Sequence, residues 1–220
     1  MVACSARKSG GMADPAAHWT EVWANKDPAD TSWHQDAPEP CSRLIREVST
    51  PASRVAIVGV GVSPLIADLL SRGYEQLEVI DIAGDALQRL RGRLGPEAGR
   101  VRIREADACV AVFDAPVDVW HDRATFHFLT DPADRSAYVR SAARAVRPSG
   151  HLIVGTFALD GPDQCSGLPV VRYDAGSLAT EFADGFDLVE SVDHDHLTPW
   201  GARQPFVHVV LRRSSAGLKS

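Results

Sequence analysis

The chain has 220 residues, 45% hydrophobic and 24% charged, the balance of a globular protein large enough for one sizeable core. A formal net charge of −6 speaks against nucleic acid or an anionic membrane surface as partner. No apolar run approaches the ~18 residues needed to span a bilayer.

Residues 1–14 carry basic side chains with no apolar stretch behind them, which is not the pattern of a secretory signal. They are expected to form a disordered tail, with Met12 an alternative start, and 214–220 a second tail. Between them, 15–213 reads as a single domain. Its first part, 15–50, is expected to be a helical lid: a short helix over 15–24 with Trp19 and Trp23 four apart, a polar loop, and a second helix over 41–48. Within the loop, Trp33, His34 and Gln35 stand out. Trp33 either closes over a ligand or anchors the loop to the core.

Strand and helix then alternate. A β-branched run over 55–58 is a buried strand, followed by the turn Gly59-x-Gly61 and a helix from about Ser63, closed at Gly73. A strand over 77–82 carries Asp81, and Leu87, Leu90 and Leu94 share one face of a helix over 84–94. Strands over 100–105 and 116–120 lead into Asp107 and His121-Asp122-Arg123. A helix over 131–146, a strand over 151–157 and a helix over 174–182 come next. Strands over 187–192 and 206–211 close the chain, joined by HDHLTPWGARQP, which has no helical pattern. The predicted fold is α/β: a Rossmann-like, doubly wound seven-stranded sheet, mostly parallel with an antiparallel last strand.

Ligands of such sheets bind outside the carboxyl ends of the strands, where Gly59, Asp81, Asp107 and His121 all fall. Asp81 follows Gly59 by 22 residues, near the ~20 expected of a carboxylate that grips a ribose. The residues alone therefore predict an adenosine-type ligand. Four cysteines, Cys4, Cys41, Cys109 and Cys165, make no CxxC pair, which fits a reducing cytoplasm and offers no metal site.

With these motifs in order, residues 19–212 resemble a class I S-adenosylmethionine-dependent methyltransferase. The resemblance implies S-adenosylmethionine as cofactor and S-adenosylhomocysteine as product. It assigns Gly59, Gly61 and Ser63 to the methionine moiety, Asp81 with Ile82 to the ribose, and Asp107 with Ala108 to the adenine. VDVWHDR matches the fourth-strand motif beside the reactive methyl, so His121 belongs to the cofactor site too, and Trp33 to the lid over it. One departure is Ile57, where the family usually carries an acidic residue for the ammonium; Asp68 and Asp122 are the substitutes on offer. The opening HWTEVWANKD…TSWHQ is similar to thiopurine- and tellurite-resistance-type methyltransferases, and also to some protein-lysine methyltransferases.

His121, Asp122 and His127 are the candidate catalytic residues, with His127 alternatively packed in the core. The long loop after the fifth strand places Cys165, Arg172 and Tyr173 among candidate acceptor contacts, and the last loop adds His194, His196 and Trp200. Cys165 is either a soft contact or a buried thiol, and Arg172 and Tyr173 either hold a carboxylate or cap a helix. The expected activity is methyl transfer to a small molecule with a thiol-like or carboxylate nucleophile. Protein-lysine methylation, or cofactor binding without transfer, are the alternatives.

Overall fold

A computed structural model describes residues 14–215. The expected tails therefore lie outside the described residues, apart from Asp14 at one end and Ser214 and Ser215 at the other.

Helix α1 (Pro15–Asn25) starts where the Asp14 carboxylate accepts from the Ala16 N–H, with Pro15 in the first turn, where its missing donor costs nothing. After α2 (Cys41–Val48), strand β1 (Arg54–Val58) is buried on both faces. That explains its unbroken apolar run. Helix α3 (Leu65–Ser71) begins after Pro64, and β2 (Gln76–Asp81) and α4 (Gly84–Leu94) follow. Then come β3 (Val101–Glu105), β4 (Val117–Arg123), α5 (Pro132–Ala145) and β5 (Val146–Phe157). A small hairpin, β6 (Gln164–Cys165) and β7 (Leu168–Pro169), interrupts the long loop. Helix α6 (Ala175–Glu181) opens on a reciprocal cap between Asp174 and Ser177, and β8 (Phe186–Leu197) and β9 (Arg203–Arg213) end the fold.

The seven-stranded sheet has the order β3-β2-β1-β4-β5-β9-β8. β9 runs antiparallel to both neighbours and the remaining pairs are parallel. The expected seven-stranded, mostly parallel sheet is thus the observed one. Period-two alternation sorts its side chains. Ala56, Val58, Trp120, Leu152 and Val154 pack under α5 and α6, while Val55, Ile57, Val79, Val119 and Ile153 pack under α2, α3 and α4. Strand order reverses between β1 and β4, the place where such sheets leave a crevice.

Three expectations are corrected. β4 runs through His121-Asp122-Arg123 instead of ending before them. β5 begins at Val146, so Arg147 to Gly150 belong to the strand. HDHLTPWGARQP is not a loop: His194 and His196 sit inside β8, paired with Phe206 and Gln204, and only a tight turn around Pro199 to Gly201 remains. Among the described residues no helix is long and apolar enough to cross a membrane.

Candidate functional site

A cleft of about 1430 Å³ opens at the carboxyl ends of β1, β2 and β4. One wall is built by the turn after β1. Gly59 and Gly61 have φ of +57° and +52°, a region that side-chain-bearing residues enter at a cost of about 1–2 kcal/mol. A Cβ at Gly59 would lie 1.8 Å from Thr125 Oγ1, and one at Gly61 2.9 Å from the Trp23 ring. The turn is therefore glycine for two reasons, backbone and space.

Asp81 at the end of β2 is buried, and its Oδ2 accepts from Gly61 N–H at 2.8 Å while Oδ1 accepts from Ala83 N–H at 2.9 Å. Burial raises its pKa, partly offset by those donors. A carboxylate has about four lone-pair sites, so two accepted bonds leave capacity for ribose hydroxyls. Asp107 holds the Cys109 N–H at 2.8 Å. Ser63, Ile82, Ala108, His121 and Trp33 also line the cleft, so every residue assigned to the cofactor faces one space. A glycine turn bonded through Gly61 N–H to Asp81, beside a carboxylate with lone pairs to spare, fits a nucleoside with an attached methionine.

Residues of the expected lid line this space. Trp19, Trp23 and Trp33 line the cleft and pack edge to face, with ring centroids 5.9 Å apart for both Trp19–Trp33 and Trp23–Trp33. Ile57 lines the cleft as well. Asp68 is engaged by Ser42 and Arg72 away from the cleft. Asp122 points to the other face of the sheet.

The opposite end of the cleft is formed by His121, Arg123, Phe157, Cys165 and Phe206. Both ring nitrogens of His121 are buried without a partner. Burial, with Arg123 adding repulsion, holds its pKa down to about 3. His121 is therefore a neutral imidazole at physiological pH and a weak general base. Burial pushes the Cys165 thiol up, so it stays protonated.

Several candidate residues are not brought to the cleft. Asp122 is fully buried; it accepts from Thr125 N–H at 2.9 Å, Phe126 N–H at 3.1 Å and Tyr138 O–H at 2.6 Å, pinning the turn after β4. His127 is packed against Phe128 and Phe157 with no exposed surface. Arg172 donates to Gly161 O, and Tyr173 O–H donates to Glu181. His196 Nε2 lies 2.7 Å from Ser32 O, bracing the lid loop. His194 sits on β8 with its ring 6.2 Å from that of His208, and Trp200 is 62% exposed at the hairpin turn. Among the described residues no three His, Cys, Asp or Glu side chains converge as metal ligands.

The sequence marks the run His121-Asp122-Arg123 but does not single out Arg123, and it gives no sign of Phe206 or Thr125. Strand alternation carried the signal for Arg123: two residues after His121 in one strand, it shares that residue's face, and Asp122 takes the other.

Comparison with known proteins agrees with this geometry. Residues 57–154 match the family model described as "Methyltransferase domain". The fold is similar to the N-methyltransferase NodS of Bradyrhizobium japonicum WM9 in complex with S-adenosyl-l-homocysteine. Identity there is 17%, with 91% of this chain and 99% of that one covered and a TM-score of 0.67. It is similar to the 1,6-didemethyltoxoflavin-N1-methyltransferase of Burkholderia thailandensis with bound S-adenosylhomocysteine at 19% identity, 94% and 93% coverage and a TM-score of 0.65. The structure titled "Conversion of a Disulfide Bond into a Thioacetal Group during Echinomycin Biosynthesis" gives a TM-score of 0.75 at 17% identity, with 90% and 93% covered. In sequence, 143 residues are 22% identical to the eEF1A lysine and N-terminal methyltransferase homolog of Drosophila melanogaster. They make up 62% of this chain and 21% of that protein's length.

Proposed function

We propose that this class I S-adenosylmethionine-dependent methyltransferase acts on a small-molecule acceptor held at the Arg123–Phe206 end of the cleft. When bound, the cofactor supplies an electrophilic methyl group on a sulfonium, and the displacement is in line. Gly59, Gly61 and Asp81 hold and orient the nucleoside and methionine parts, Asp107 receives the adenine, and the tryptophans of the lid exclude water. The observation that carries the reading is the glycine turn bonded to Asp81, facing a cleft roofed by three tryptophans.

A neutral His121 supports an acceptor that arrives with its nucleophile already free, since a ring held to about pKa 3 removes protons poorly near neutrality. A protein-lysine acceptor calls for an open acidic groove; the aromatic and cationic walls of this end favour a small molecule instead.

Calorimetric titration with S-adenosylhomocysteine tests the cofactor half. Asp81→Ala is expected to weaken binding more than about tenfold, or about 1.4 kcal/mol. An unchanged dissociation constant means the ribose has been misplaced. Methyl-labelled cofactor incubated with a cell extract tests the acceptor half: label is expected in the small-molecule fraction, and label confined to protein bands refutes that half.

A further inference from the structure

Arg123 is held at one nitrogen only. Its Nη1 donates to the Trp33 carbonyl at 3.2 Å, and its guanidinium carbon stands 4.8 Å over the centre of the Phe206 ring. Nε and Nη2 are buried without a hydrogen-bond partner. Among the described residues no carboxylate forms an ion pair with it; the ionisable groups around it are the thiols Cys41 and Cys165 and the rings of His121, His127, His194, His196 and His208. A cation shielded from water and unpaired is costly, and folded chains keep such groups paired or pointed at a ligand.

The two idle donors matter individually. Nε–H and one Nη2–H lie parallel on the same edge of the guanidinium plane, the fork that matches two oxygens of one carboxylate. Trp33 and Phe206 fix the plane, so little freedom remains to be lost when that fork is filled. Arg123 ends β4, which is separated from β2 and Asp81 by β1.

We propose that Arg123 is the specificity residue for the acceptor, and that the acceptor carries a carboxylate gripped by the Nε–Nη2 edge with an apolar or aromatic body against Phe206 and Phe157. This deepens the methyltransferase reading and rests on it for the word acceptor. The competing source of the same chemistry is the carboxylate of the cofactor's own methionine, which the test separates.

The probes are benzoate and its neutral isostere benzamide, titrated calorimetrically into the wild-type protein with and without saturating S-adenosylhomocysteine. Benzoate is expected to bind at least about tenfold tighter than benzamide, the difference of one charge-assisted fork. In R123Q that preference is lost, in R123K it is partly kept, and the affinity for S-adenosylhomocysteine stays within about twofold of wild type. Equal binding of the two probes by the wild type, or no benzoate binding below about 10 mM (a standard free energy near −3 kcal/mol), overturns the proposal. A tenfold loss of S-adenosylhomocysteine affinity in R123Q also overturns it, by giving the fork to the cofactor. The wild-type comparison does not depend on a variant folding. Failure to bind S-adenosylhomocysteine at all sinks the methyltransferase reading, whereas the benzoate–benzamide comparison in the free protein still decides the anion site.

Discussion

The two ends of the cleft are built on opposite plans. At the nucleoside end the chain meets its own needs: both Asp81 oxygens accept backbone N–H groups, and Asp107 accepts another. At the acceptor end it does not: both His121 nitrogens and two of the three Arg123 nitrogens are buried without partners. A self-satisfied site is rigid before its ligand comes and can serve a cofactor of fixed shape. A site with idle buried donors is completed by what it binds, and that is where we place selectivity between acceptors.

The largest effect is expected where the rigid end is most crowded. Gly59→Ala places a methyl group in the space of the Thr125 hydroxyl, 1.8 Å from its oxygen, on a backbone with φ +57°. Strain at that φ alone costs about 1–2 kcal/mol, and the collision adds to it. Urea unfolding should show a loss of about 2 kcal/mol or more, with S-adenosylhomocysteine binding lost or severely weakened. Adding Thr125→Ala should return the collision part and leave the backbone part. A Gly59→Ala protein as stable as wild type contradicts the left-handed turn.

These two plans also decide what could be read without coordinates. The nucleoside end is local: a glycine turn, then a carboxylate at the end of the next strand, all within β1 to β2. The acceptor end joins Trp33, Arg123, Cys165 and Phe206, whose contacts span the chain and leave no spacing to recognise. The strands that formed clear apolar runs are those buried on both faces. β8 escaped in part because it is an edge strand with most of its side chains in water, so DHDH is strand carrying charge and not loop. Asp122 was misassigned for a related reason, since a strand that ends at Trp120 leaves no alternation to turn it away from the cleft.

A smaller effect is expected from Asp122, which lies between the two ends and faces neither. Burial, outweighing its three donors, pushes its carboxyl from 3.8 up to about 7. A folded-state pKa above the unfolded one means the folded chain keeps a proton that the unfolded chain releases. This group's contribution to stability is complete below about pH 4 and is lost as pH rises through about 7. His121 and His127, held to about 3 from 6.5, act in the other direction and lose stability as pH falls below about 6.5. Between pH 4 and 6.5 the two histidines outweigh the one carboxyl, so unfolding free energies should rise with pH more steeply in Asp122→Asn than in wild type. Parallel curves for the two proteins would remove Asp122 as the source.

The smallest effect should come from Trp200, and a near-zero result there has content. Its ring is 62% exposed at the β8–β9 turn and does not line the cleft. Trp200→Ala should change stability by no more than about 0.5 kcal/mol and leave binding of S-adenosylhomocysteine and of benzoate within about twofold. Trp33→Ala, which removes the same ring from the cleft, should weaken both, because that ring lines the nucleoside end and packs against the Phe157–Phe206 cluster beside Arg123. If Trp200→Ala weakened benzoate alone, the hairpin tip would have to fold over the acceptor end during binding. The contrast between a finished and an unfinished end would then be a property of the open form only.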